Sequence, residues 1–101
     1  MQVSFSGTAK EQLAVIKSYI AKDNPGRAVK HIKKLIDRIK RILEFPYIGR
    51  MNTVYNREDI REIVIEGYKV IYQIRAESII VLVVLHDASL TRKRVKLNKS
   101  F

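Results

Sequence analysis

The chain has 101 residues, of which 47% are hydrophobic and 30% charged. That mixture excludes a disordered chain and suits one compact domain with a single core. The absence of Cys excludes a disulfide framework and a thiolate metal site. The longest apolar run, Ile79 to Leu85, is too short to cross a bilayer, and the first residues lack the layout of a secretory signal. We therefore expect a cytoplasmic protein without membrane contacts.

The charge balance is strongly basic. Lys and Arg number 20 against 10 Asp and Glu, which gives a net charge of +10 and a pI near 10.1. Such a field attracts nucleic acid, an acidic protein or an anionic membrane surface, although excess charge also keeps a small domain soluble.

The first elements are a short strand and a helix. Residues 2 to 5 alternate apolar and polar side chains before Gly7, which predicts a strand. Thr8 and Glu11 form a capping-box pattern that predicts the start of a helix, which should end near Lys22. Its apolar stripe repeats at helical spacing and comprises Ala9, Leu13, Ile16 and Ile20.

A second, longer helix begins at Asn24-Pro25, because Asn caps helices well and Pro is tolerated at the first helical position. Apolar residues recur every three or four positions from Ala28 to Leu43, and Pro46 ends the helix. The other faces carry seven cations: Arg27, Lys30, Lys33, Lys34, Arg38, Lys40 and Arg41. Two such amphipathic helices predict a hairpin that covers another apolar layer, and an exposed groove beside it would suit a partner helix.

Residues 46 to 59 show no period and are predicted to form a loop. Period-two alternation on both sides of Gly67 predicts a β-hairpin with Tyr68 and Tyr72 on the core face, and Ile79 to Leu85 predicts a central strand that ends at His86. The order β-α-α-β-β-β indicates one α+β domain over residues 1–101, a small, mainly antiparallel sheet packed against a helical hairpin. Residues 87–101 form a basic C-terminal tail with five cations against one Asp.

Several of these features together resemble the RelE/ParE superfamily of toxins from type II toxin–antitoxin operons, some of which are called plasmid stabilization proteins. The features are Ser18-Tyr19-Ile20, Asn24-Pro25, Ala28, Leu43, Pro46, Gly49-Arg50, Arg61, the run Gly67 to Tyr72, and the strand ending at His86. The Tyr-Ile, Asn-Pro and Gly-Arg pairs look more like the ParE branch than the RelE branch. The resemblance spans nearly the whole chain.

This resemblance implies a cognate antitoxin with an acidic tail and a toxin–antitoxin hetero-oligomer. A ParE-like toxin would poison DNA gyrase without breaking bonds itself. A RelE-like toxin would instead cut messenger RNA on the ribosome, as an mRNA interferase. A third possibility is an inactive toxin fold that serves only as a binding module.

The residues that would carry each function differ. The two His residues, His31 and His86, make no metal-ligand pattern, so we expect neither metal nor cofactor. A metal-free RNase needs acid–base groups and cations around the phosphate, and the RelE-like interpretation assigns Arg61, Lys69 and His86 to these tasks. Binding of the target or antitoxin is assigned to four further cations: Arg75, Arg92, Lys93 and Arg94.

Overall fold

The computed structural model describes residues 1–86, so the predicted tail and its Arg92, Lys93 and Arg94 lie outside the described residues. In chain order the elements are β1 (Gln2–Phe5), α1 (Gly7–Ala21), α2 (Pro25–Ile42), a 3-10 turn (Pro46–Ile48), β2 (Arg50–Asn52), β3 (Arg57–Ile65), β4 (Tyr68–Ile74) and β5 (Ser78–His86). This arrangement confirms the α+β class, with one strand more than predicted. Neither helix in this part of the chain is long and apolar enough to cross a membrane.

The five strands form one sheet in the order β1-β5-β4-β3-β2. β1 pairs with β5 in parallel, and all other pairs are antiparallel. The turn between β3 and β4 is tight, since Glu66 and Gly67 both have positive φ, at 53° and 83°. Two successive residues with positive φ suit the twist of a two-residue hairpin, which explains why Gly67 follows the alternating run.

The hydrophobic core lies between the helical hairpin and one face of the sheet. Its fully buried members include Leu35 and Ile39 from α2, and Val70 and Tyr72 from β4. The predicted stripes on both helices therefore supply the core. Tyr68 is also buried, which confirms the core placement of the two β4 tyrosines.

The cap of helix α1 lies two residues before the start of the predicted capping box. The cap is Ser6, whose hydroxyl accepts the Ala9 N–H at 3.0 Å, so the Thr8 and Glu11 prediction was wrong. The reason is tertiary, because the same hydroxyl donates to the Leu82 carbonyl at 2.9 Å, on the part of β5 beyond β1. Helix α2 begins as predicted, with the Asn24 side chain accepting from the Arg27 N–H at 3.0 Å.

The predicted loop 46–59 is not irregular throughout. It contains the 3-10 turn, strand β2 and the first residues of β3. β2 has only three residues and a register shift after Met51, so it shows no alternating pattern that sequence could reveal. Its position at the outer edge of the sheet comes from tertiary contacts.

One buried tyrosine holds the start of this segment on the sheet. The Tyr72 hydroxyl donates to the Pro46 carbonyl at 2.6 Å and accepts the Gly49 N–H at 3.0 Å. Burial raises the pKa of Tyr72, although the Gly49 N–H and Arg61 oppose the shift, so the phenol stays protonated and donates at neutral pH. Gly49 lies so close that an added Cβ would meet the Tyr72 hydroxyl at 2.6 Å and the Glu62 carbonyl at 2.7 Å.

We predict that Tyr72→Phe lowers the free energy of unfolding by about 1–3 kcal/mol, because the buried Gly49 N–H loses its acceptor. Urea unfolding of the full chain measures this change. The matched control is Tyr55→Phe, whose side chain is exposed and whose effect should stay within about 0.5 kcal/mol. Equal midpoints for both variants would show that the Tyr72 hydroxyl contributes nothing.

Candidate functional site

The three residues assigned to RNA cleavage are not gathered at one place. Arg61 lies opposite Tyr72 and His86 lies opposite Tyr68, and directly paired residues share a face of the sheet. Tyr68 and Tyr72 are four residues apart on β4, which separates the two positions by roughly 13 Å along the strand. Lys69 falls between them in the alternation and therefore lies on the opposite face.

Arg61 contacts the segment that precedes β2 and the backbone of its own strand, β3. Its guanidinium donates to the Gly49 carbonyl at 2.8 Å and to the Glu58 carbonyl at 3.1 Å. The same group lies over the Tyr47 ring, 4.8 Å from the ring centroid. These contacts give Arg61 a structural task at the edge of the sheet.

Lys69 is directed toward a buried carboxylate. Glu62 is only 7% exposed, and its Oε2 lies 3.8 Å from the Lys69 amine and 3.0 Å from the Arg50 guanidinium. Its Oε1 accepts a hydrogen bond of 2.6 Å from the Asn52 amide. Because a carboxylate neutralises part of its charge, Lys69 is a weaker stabiliser of a phosphate than an unpaired cation would be.

His86 ends β5, where the Tyr68 ring lies between the two histidines. His31 Nε2 is 3.0 Å from the Tyr68 hydroxyl, and both imidazole rings meet the tyrosine edge-on at centroid distances of 5.8 and 5.7 Å. Burial raises the pKa of Tyr68, which keeps its hydroxyl protonated. Within residues 1–86 no group of three or more His, Asp and Glu side chains is placed to hold a metal ion.

Arg75, assigned to partner binding, is exposed in the turn between β4 and β5, where its guanidinium contacts the Gln73 side-chain oxygen at 3.3 Å. Gln73 in turn donates to Asp59 at 3.0 Å, and Asp59 also accepts from Arg57 at 2.7 Å. The hydrogen bond from Gln73 has the largest effect on the pKa of Asp59, which it lowers. The Arg57 contacts lower this pKa as well, and together they outweigh the desolvation that raises it. This corner of the sheet is thus a chain of paired polar groups.

An apolar groove runs between α1 and the ends of β4 and β5. Two adjoining parts of it have volumes of about 370 and 350 Å³. The groove is lined by Val15, Ile16, Tyr19, Ile20, Leu85 and His86, together with polar groups of α1. Tyr19 and Val15 are well exposed, at 73% and 67%, so the groove is open to a partner. From the sequence we expected that any groove left exposed by the hairpin would suit a partner helix, and the structure has such a groove on α1.

A second apolar surface was missed by sequence reasoning. Among residues 1–86, twelve large hydrophobic side chains are exposed, and half of them fall between positions 45 and 55. We call this set the β2 edge surface; its members are Phe45, Tyr47, Ile48, Met51, Val54 and Tyr55. The available signal was composition, since residues 45–57 hold six large apolar residues and no Asp or Glu, which is unusual for a solvated connection.

Among the comparisons with known proteins, one solved structure shows the same fold. The structure entitled chromosomal ParDE TA system from P. aeruginosa superimposes with a TM-score of 0.70 at 16% identity, over 85% of this chain and 95% of that chain. The RelB-RelE antitoxin-toxin complex from Methanococcus jannaschii superimposes with a TM-score of 0.48 at 20% identity, over 88% and 95% of the two chains. A comparison with curated proteins gives no match.

The sequence matches the family described as ParE toxin of type II toxin-antitoxin system, parDE, over residues 3–90. The matched range takes in both helices and the five strands of the described residues, except Gln2 at the start of β1. It is most of the chain, and the superposition on the P. aeruginosa structure shows the same fold. The protein therefore belongs to the ParE toxin family of type II toxin–antitoxin systems.

Proposed function

We propose that this ParE-type toxin inhibits growth by binding DNA gyrase and stalling it, without breaking a bond in its target. The observation that carries the proposal is the scattering of Arg61, Lys69 and His86 over two faces and two ends of the sheet. General acid–base cleavage of RNA requires such groups within hydrogen-bond reach of one phosphate. Binding alone makes no such demand.

The neighbours of these residues support the same view. Arg61 is held by two backbone carbonyls and a tyrosine ring, and Lys69 faces the buried Glu62. Each cation thus already has protein partners. A nuclease would need these charges directed at a phosphate whose negative charge grows in the transition state.

Neutralisation is proposed to come from a cognate antitoxin that forms a hetero-oligomer with this chain. Its apolar helix face would lie in the groove on α1, and its acidic residues would meet the cations of α2, all seven of which are exposed. The five cations after Asp87, including Arg92, Lys93 and Arg94, would add to this attraction. Arg75 is assigned to the same partner surfaces.

Gyrase-catalysed supercoiling of plasmid DNA, with and without the purified full chain, tests the proposed target. We expect inhibition of supercoiling and accumulation of cleaved DNA complexes that rise with toxin concentration. Undisturbed supercoiling at saturating toxin would contradict the gyrase proposal. Cuts at codon positions in translated messages, mapped by primer extension, would establish the mRNA interferase instead. A lack of growth inhibition on induction would indicate an inactive binding module.

The antitoxin groove gives a separate prediction. We expect the double change Val15→Ser and Tyr19→Ser to weaken binding of the antitoxin, the product of the adjoining reading frame, by at least about tenfold, or roughly 1.4 kcal/mol. The matched control is Val29→Ser, which alters an exposed apolar residue of α2 outside the groove. Calorimetric titration measures both affinities. Unchanged affinity in the double variant would place the antitoxin elsewhere.

Salt dependence checks the electrostatic part of the same interface. Because exposed charges attract over a distance, rising salt should slow association more than it speeds dissociation, with strong screening beyond roughly 10 Å at 0.1 M. Stopped-flow mixing of toxin and antitoxin measures both rates. An association rate independent of salt would show that the basic surface does not steer the antitoxin.

A further inference from the structure

Six exposed hydrophobic side chains fall between positions 45 and 55, and none of them belongs to the buried core. Single exposed apolar residues are normal, but a cluster of them marks an interaction site. Two members are linked through Arg61, which pairs with Met51 across the strands and lies over the Tyr47 ring. Val54 is 84% exposed at the tip of the β2–β3 connection, next to Tyr55.

From this geometry we infer that the β2 edge surface recognises the toxin's protein target, by placing its aromatic and aliphatic side chains against an apolar patch that is rimmed by acidic residues. The inference rests on the proposed function, because it assigns a surface to the target that the toxin binds. It also separates the target surface from the antitoxin groove.

Hydrogen bonds with two buried side chains hold the backbone of the β2 edge surface in place. Tyr72 bonds both Pro46 and Gly49, at one end of β2. At the other end Asn52 is buried, and its side-chain oxygen accepts the N–H groups of Val54 and Tyr55, both at 3.0 Å. A surface held in place before binding loses little conformational entropy in the complex, which favours affinity.

Charge identifies the kind of partner. Residues 45–57 contain Arg50 and Arg57 and no Asp or Glu; Arg57 is paired with Asp59, and Glu58 follows it directly. The Arg50 side chain is 76% exposed. Within residues 1–86 it forms one ion pair, with the buried Glu62 carboxylate. Tyr, Phe, Met and Arg are enriched at protein interfaces, and Tyr and Arg are frequent among the residues that contribute most of the binding energy. A partner with an acidic rim around an apolar patch complements this combination.

Other occupants fit less well. A second copy of the chain carries the same net charge of +10 and would be repelled. Single-stranded nucleic acid stacks its bases on aromatic rings along a basic groove. Here the Arg61 guanidinium lies over the Tyr47 ring, and half of the surface, Ile48, Met51 and Val54, is not aromatic and cannot stack on bases. Addition of a partner strand is disfavoured because β2 has only three residues and a bulge at the free edge.

The surface is distant from the groove proposed for the antitoxin. β2 is the last strand of the sheet, and three strand spacings separate it from β5, which corresponds to about 14 Å. A toxin with two such separate surfaces can lose one partner and keep the other. This separation provides the test.

The test uses three variants of the full chain. The edge variant carries Ile48→Ser, Val54→Ser and Tyr55→Ser; the groove variant carries Val15→Ser and Tyr19→Ser; and Val29→Ser is the control. Each changed side chain is exposed, so thermal unfolding should remain close to that of the parent protein. Binding to purified gyrase and to the antitoxin is measured by surface plasmon resonance, and toxicity by growth after induction.

We expect the edge variant to bind gyrase at least about tenfold more weakly and to lose growth inhibition, while its antitoxin affinity stays within about twofold of the parent. Full gyrase binding and toxicity in the edge variant would overturn the inference. Loss of antitoxin affinity with toxicity retained would also overturn it, because the surface would then belong to the antitoxin. If the parent protein instead retards a single-stranded RNA probe on a gel and the edge variant does not, the result would contradict a protein partner.

The outcomes for the target and for the surface are distinguishable. If the parent protein does not bind gyrase, the proposed function fails. If, in that case, the edge variant alone no longer inhibits growth and still binds the antitoxin, this surface would be assigned to recognition of a different target. If growth inhibition is equal in the parent and the edge variant, the surface inference fails whatever the target is.

Discussion

The organisation of this toxin depends on buried polar contacts between the sheet and the segment that follows α2. The Tyr72 hydroxyl, the Glu62 carboxylate and the Asn52 amide each make two or more hydrogen bonds or ion pairs at this edge. Buried polar groups are costly unless they are satisfied, so these contacts define one position for the segment. Its apolar side chains must then stay in solvent, where a partner can reach them.

The same contacts bear on mechanism. Arg61 donates a hydrogen bond to the Gly49 carbonyl, and Lys69 lies beside the Glu62 carboxylate. Cations that a nuclease would direct at RNA therefore have protein partners here. In the proposed function the chain's large positive charge serves attraction rather than chemistry. In the proposed account it steers acidic proteins to two surfaces, one for neutralisation on α1 and one for the target at the β2 edge.

Much of the fold could be predicted from sequence because its signals are local. The Asn24-Pro25 start, the stripes of both helices and the hairpin around Gly67 each follow from residues close together in the chain. The cap at Ser6 could not be predicted, since its hydroxyl also bonds Leu82, 76 residues away. β2 was missed because it is a strand only through its pairing with β3, and its own residues show no alternating pattern. Arg61 and Lys69 were chosen from the sequence as candidates, but whether they share a face depends on the pairing of β3 with β4, which the sequence does not show directly.

Hydrogen exchange of the toxin bound to gyrase, compared with the free toxin, tests the central claim most directly. The amides of Gly49, Val54, Tyr55 and Asn56 are all hydrogen-bonded in the structure and should exchange slowly in the free chain. The account predicts that gyrase slows residues 45–56 further and leaves the groove on α1 unchanged. Added protection confined to α1 and the end of β5 would contradict it.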